Sequence, residues 1–248
     1  MNTFLCKLAK YIHIKTFYKT VATLIFRVVI FYMQINSYNN RINYTSKIRV
    51  VTSNEFNKHL FDEYIYCGSQ GSPIKDSMSK VRGFWTPSVR TCSAGGVVGN
   101  DGVLGFHFYD CLENMEKLQH RFKTMITDMI FKPKSAFIIG GKKLEERPAS
   151  VPLFDIVADE VGQTVKPSIF KTHKHKFGES DIGYEKCSDT WFINSVYPKN
   201  PMLSNNDVEL LSVDDLKQGF ESIKIAPQDD LFIMDKKITR DICPEFFE

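Results

Sequence analysis

The sequence predicts an α+β fold, a layered α/β sandwich with a central mixed or antiparallel sheet. Three observations lead there. Strand-like and helix-like stretches are mixed along the chain instead of alternating strictly, which argues against a doubly wound parallel sheet. The tetrapeptide GNDG at 99–102 sits near the middle of the chain and is a strong hairpin signal, because Asn, Asp and Gly tolerate positive φ. The chain has 248 residues, 43% hydrophobic and 25% charged, enough for a sizeable core in an ordinary soluble globular protein.

The first 40 residues differ from the rest. Lys7, Lys10, Lys15 and Lys19 precede the apolar run TVATLIFRVVIFYMQ, which Arg27 interrupts. That run is too short and too polar at its middle for a membrane span. A basic stretch before an apolar one resembles a targeting segment or anchor, yet no small-residue cleavage site follows. Three readings stand: a membrane-contacting or targeting segment, a core or surface helix, or a non-native extension with Met33 as a second start. Residues 41–248 then form a single domain.

The stretch KIRVV reads as a short strand. SNEFNKHLFDEYI (53–65) reads as a helix capped by Ser53, with Phe56, Leu60, Phe61 and Tyr64 on one face. Residues 67–80 are rich in Gly, Ser and Pro and read as a loop. RGFWTP and VRTCSAGGVV read as strands, and VLGFHFYD returns from GNDG as the partner arm. Asp110 caps a long helix with Met115, Leu118, Phe122, Met125, Ile126 and Met129 at helical spacing. That stripe is core packing against a sheet or, alternatively, a groove for a partner.

SAFIIGG (135–141) reads as a buried strand ending in a glycine pair, and VPLFDIVADEVGQ (151–163) as a short helix. SIFKTHKHKF (168–177) and YEKCSDTWFINSVYP (184–198) read as strands. DDLKQGFESIKI reads as a helix and DDLFIMDKKI as a final strand. There is no internal repeat.

Charge and cysteine usage narrow the partners. A net charge of +3, with acids and bases interspersed, leaves no electrostatic footprint for nucleic acid. The six cysteines are widely spaced and form no CxxC, which points to a reduced environment and away from both disulfide scaffolds and zinc pairs. His173 and His175 share one face of a strand as metal ligands do, but no third ligand lies near and lysines flank them. Cys67 lies in a loop and is a rival nucleophile, whereas Cys111 and Cys187 read as core thiols. Phe84 and Trp85 line either the core or a substrate pocket.

The central hairpin carries Cys92 on one arm and His107 on the other. A cysteine attacks as its thiolate and needs a base or cation beside it. With the turn near Asp101–Gly102, paired positions sum to roughly 200, which sets Cys92 and His107 nearly opposite each other, about 5 Å apart at Cβ. Ser93, Ala94, Gly95 and Gly96 leave room at the thiol, and backbone N–H groups nearby could serve an oxyanion. Several residues remain candidates for orienting the imidazole.

This stretch resembles the active-site hairpin of the cysteine-dependent glutamine deamidases, the group of the chemoreceptor deamidase CheD, the catalytic domain of cytotoxic necrotizing factor and Burkholderia lethal factor. There a histidine follows the cysteine by some fifteen to seventeen positions on the next strand. In CheD and the lethal factor a threonine precedes the cysteine by six. Thr86, Cys92 and His107 satisfy both spacings, and AFIIGG resembles a hydrophobic strand with paired glycines that recurs in the group. The resemblance spans Thr86 to Gly141. Where the group carries Ser-Gly-Cys or Gly-Ser-Cys, this chain has Arg90-Thr91-Cys92.

The resemblance implies a hairpin of catalytic type in one deamidase-like domain. Cys92 would be the nucleophile, His107 the base and Thr86 the group orienting the imidazole, with no metal or organic cofactor. It implies a bacterial toxin or effector, secreted or translocated into a host cytoplasm and monomeric, acting on a host protein that carries the substrate glutamine. Two rival readings are a cysteine protease or transglutaminase with the same dyad, and a non-catalytic interaction protein with a buried Cys–His pair.

Overall fold

The computed structural model describes residues 45–58, 64–66, 72–75, 80–109, 115–130, 132–141, 150–172, 178–198 and 207–247. The expectations for residues 1–40 and for Cys67, Asp110, Cys111, His173 and His175 lie outside the described residues.

Two mixed sheets with few helices form an α+β sandwich, so the single central sheet expected from the sequence is in fact a pair. The first sheet holds β1 (Ser46–Val50), β2 (Tyr64–Tyr66), β4 (Gly83–Val89), β9 (Glu179–Glu185), β10 (Thr190–Pro198), β11 (Asp207–Glu209), β13 (Asp229–Ile233) and β14 (Lys236–Ile238). Its order is β14-β13-β1-β10-β9-β4-β2, with β11 also paired to β10. The second sheet holds β3 (Ser72–Lys75), β5 (Ser93–Val98), β6 (Gly102–Phe108), β7 (Ser135–Gly140), β8 (Ser168–Thr172) and β12 (Phe220–Lys224), in the order β12-β8-β7-β5-β6-β3. The helices are α1 (Ser53–Lys58), α2 (Met115–Met129), α3 (Ser150–Gly162) and α4 (Val213–Gly219). Among the described residues no helix is long and apolar enough to cross a membrane.

The second sheet lies between the first sheet and the pair α2–α3. Covering both faces explains why SAGGVV, GVLGFHF and SAFIIG are buried at every position and show no polar alternation. On the inner face, Ala94, Val98, Phe137, Ile139 and Phe170 meet Ile48, Phe84, Tyr184 and Trp191 of the first sheet. Two glycines admit the large rings of that layer. A Cβ at Gly96 would lie 2.8 Å from Trp191 Cη2, and one at Gly105 would lie 2.8 Å from the Phe84 ring. On the outer face, Val97, Leu104, Phe106 and Phe108 pack against Phe122, Met125 and Ile126 of α2 and Leu153, Phe154 and Val157 of α3. The α2 stripe is therefore core packing at the three positions whose side chains are described.

Several elements differ from the sequence reading. Thr52, not Ser53, caps α1: its Oγ1 accepts the Glu55 N–H at 3.1 Å. The described helix ends at Lys58, and Tyr64 lies in β2. Residues 72–75, read as loop, pair with β6. The stretch 184–198 is not one strand but the end of β9, a turn and β10, and Asp189 in that turn takes a φ of 47°. The predicted helix DDLKQGFESIKI stops at Gly219, and FESIK forms β12. DDLFIMDKKI is a hairpin of β13 and β14, turning where Met234 has a φ of 52°. Cys187 is exposed in the β9–β10 turn, not a core thiol.

Candidate functional site

Three consecutive pieces of chain build the site: β4 in one sheet, the crossover at 90–92, and the β5–β6 hairpin in the other sheet. The hairpin closes as its sequence predicts. The Gly99 N–H donates to the Gly102 carbonyl at 2.8 Å, and Asn100 and Asp101 form the tip.

That tip sets the register, and it corrects the expected pairing. Partner numbers sum to 201, so Ala94 lies opposite His107 and Ser93 opposite Phe108. Cys92 sits one residue before β5 and two before Ala94, so it is diagonal to His107 instead of directly across from it. Diagonal neighbours on one face are about 7–8 Å apart, within reach of longer side chains. Cys92 and Ala94 both belong to the core between the sheets, the face on which His107 also lies. Cys92 is in no disulfide and is 7% exposed. Its carbonyl accepts the Gly141 N–H at 3.1 Å, which ties the residue to the glycine pair ending β7.

His107 is 3% exposed. Its Nδ1 lies 2.5 Å from Thr86 Oγ1, a hydrogen bond that spans from β6 of one sheet to β4 of the other. Its Nε2 is buried and has no hydrogen-bond partner among the described residues. Tyr109, 37% exposed, stacks on the imidazole with centroids 4.9 Å apart and the planes inclined by 29°. Burial lowers the His107 pKa from 6.5 to about 4, so the ring is neutral near pH 7. A neutral ring carries one N–H, and if Nδ1 donates to Thr86, the Nε2 lone pair is left to accept a proton.

Thr86 is the last residue of β4 in regular register with β9, and an irregularity follows it. Thr86 pairs with Ile182 of β9, but the next registered pair is Val89 with Ser180, so the strand is bulged between them. Pro87 has no N–H to give to a ladder. Ser88 adopts a φ of 58°, and its N–H donates to Asp181 Oδ1 at 2.8 Å. Desolvation raises the Asp181 pKa, and the Ser88 bond opposes that rise. Beyond the bulge, Arg90 pairs with Glu179 at 2.8 Å.

The structure thus joins Thr86 to His107 directly and sets Cys92 on the same inner face. Phe84 is wholly buried beneath Gly105 and against Trp191, a core role and not a pocket lining. Two residues of the site escaped the sequence reading. Tyr109 had a signal, since it follows His107 by two on the same strand path. Asp181 had none, being 93 residues from Ser88 in sequence. Among the described residues, no three His, Cys, Asp or Glu side chains cluster as metal ligands would. The chain matches no known protein-family model, and no curated protein matches it.

Proposed function

We propose that the protein is a glutamine deamidase that hydrolyses a side-chain amide through a Cys92 thioester, with the β5–β6 hairpin as its catalytic-type element. The observation that carries the reading is the Thr86–His107 bond, which engages Nδ1, while the buried Nε2 has no partner among the described residues, on the face that Cys92 shares.

In the proposed reaction the Cys92 thiol gives its proton to His107 Nε2 while Sγ bonds to the glutamine Cδ. The tetrahedral intermediate collapses, the C–N bond breaks, and His107 returns the proton to the leaving nitrogen as ammonia departs. Water then adds to the thioester, His107 takes its proton, and the C–S bond breaks to release glutamate and the thiol. Burial lowers the proton affinity of the imidazole, so in this reading His107 takes up its charge only in step with thiolate formation. The step needs the tautomer in which Nδ1–H donates to Thr86 Oγ1 and the Nε2 lone pair is free. By the same resemblance the substrate would be a host protein, reached by a secreted or translocated effector.

One observation favours the non-catalytic reading: Cys92 and His107 are both almost wholly buried. The two readings part in a lysate experiment. Wild-type protein and Cys92→Ser are incubated with lysate, and peptides are searched for glutamines that gain about one dalton, the amide-to-acid change of this hydrolysis. A gain that requires Cys92 supports the deamidase and names its target. No gain, together with a Cys92 that iodoacetamide labels only on unfolding or above the ordinary thiol pKa of about 8.5, leaves the pair structural.

A further inference from the structure

Asp181 lies in β9, next to Ile182, which pairs with Thr86. Its carboxylate faces the bulge and accepts the Ser88 N–H at 2.8 Å. That N–H belongs to a non-glycine residue in the left-handed region, φ 58°, a conformation that persists only where its surroundings hold it. The segment so held has the imidazole partner Thr86 at one end and Cys92 at the other, six residues apart. Pro87 leaves Ser88 as the first N–H after Thr86 available for anchoring.

We propose that Asp181 is a positioning residue for the Thr86–His107–Cys92 group: by holding the Ser88 N–H it fixes the bulge that directly follows Thr86 and sends the chain toward Cys92. The inference rests on the reading of Cys92 and His107 as nucleophile and base. Asp181 itself touches none of the reacting atoms. It acts through the backbone, and the property that matters is its acceptor oxygen, so an amide in its place should serve nearly as well.

The test is the pH profile of Cys92 alkylation by iodoacetamide, resolved by peptide mass spectrometry so that the exposed Cys187 does not contribute. It is run alongside NMR of the His107 ring in the same folded variants. Asp181→Ala should lower the Cys92 rate at pH 7 by about tenfold or more, as small misplacements of reacting groups do, and should shift the His107 ring signals. Asp181→Asn, which keeps an acceptor for Ser88, should stay within about threefold of wild type. Glu185→Gln breaks the Arg82 pair at the far end of the same strand pair and should change neither readout. Asp181→Val, β-branched and suited to a strand, repeats the loss of the acceptor if the alanine variant does not fold.

The inference is overturned if Asp181→Ala and Asp181→Val retain the wild-type profile and ring signals, or if Asp181→Asn behaves as they do. If wild-type Cys92 shows no reactivity below the ordinary thiol range, the deamidase reading falls by itself. The ring signals then decide about Asp181, since they report the Thr86–His107 bond without any chemistry at the thiol.

Discussion

Thr86 and His107 are 21 residues apart in sequence and lie in different sheets, yet Thr86 Oγ1 and His107 Nδ1 are 2.5 Å apart and buried. The bond crosses a largely apolar interface between the sheets, which the Ser168–Asp229 bond also spans. Broken from one side, it leaves a buried ring nitrogen with nothing to replace it, and that asymmetry makes it testable.

Thr86→Val preserves the β-branched shape and removes the hydroxyl. We expect a loss of about 1–3 kcal/mol in unfolding free energy, the cost of a buried polar atom left unsatisfied. Urea unfolding measures it, and Thr86→Ser should recover most of the loss. Equal midpoints for wild type and Thr86→Val would show that the bond contributes nothing.

Acid should weaken the fold through His107. The folded pKa is about 4 against 6.5 for the free side chain, so between those values the unfolded chain takes up a proton that the folded chain refuses. This contribution falls as pH drops through that window, by up to about 3 kcal/mol, and is constant above and below it. His107→Gln should abolish that component in urea titrations taken at a series of pH values. An unchanged slope in the variant would contradict it.

Asp229 should act with the opposite sign. It is buried between the sheets and accepts hydrogen bonds from Ser46 at 2.7 Å and Ser168 at 2.6 Å. Desolvation nonetheless raises its pKa from 3.8 to about 6. Between those values the folded chain binds the extra proton, so this contribution strengthens the fold as pH falls through 6 and costs about 3 kcal/mol above it. Asp229→Asn should be at least as stable as wild type at pH 7.5. It should also expose the full acid loss due to His107, which the two opposed terms largely mask in the wild type. Asp229→Asn less stable than wild type at pH 7.5 would reverse the sign.

Gly140→Ala should displace Cys92. Gly140 has a φ of 132°, and a Cβ there would lie 1.9 Å from the Cys92 carbonyl oxygen, a contact no flexible side chain can relieve. We expect a loss on the order of 3 kcal/mol or more in thermal or urea unfolding. Gly162→Ala at the end of α3 meets nothing within 4 Å and should be neutral or stabilising by about 0.5–1 kcal/mol. Similar losses in the two variants would rule out the steric cause.

The hairpin was legible because its cause is local: Asn100, Asp101 and the flanking glycines accept the backbone angles a tight turn needs. Its register was not, because NDG flanked by glycines places the tip only to within a residue, and one residue at the tip moves the paired sum by two. The splits at Asp189 and Met234 were missed because non-glycine residues take positive φ there under tertiary constraint. Phe220 was read into a helix because its apolar spacing fits either period. Pairing of β12 with β8 decided for the strand.

By itself the sequence determined an α+β chain with a central hairpin, a histidine on one arm and a cysteine at the foot of the other, and a buried strand ending in paired glycines. Those features follow from short-range backbone preferences and apolar content. The Thr86–His107 contact was expected only through the resemblance, and the tertiary structure brings the two together; it alone decided that the Ser88 N–H meets Asp181 and that Cys92 is diagonal to His107. The first depends on how the two sheets are laid face to face, the second on the pairing of β4 with β9 and the third on the hairpin register, none of which local patterns fix to the residue.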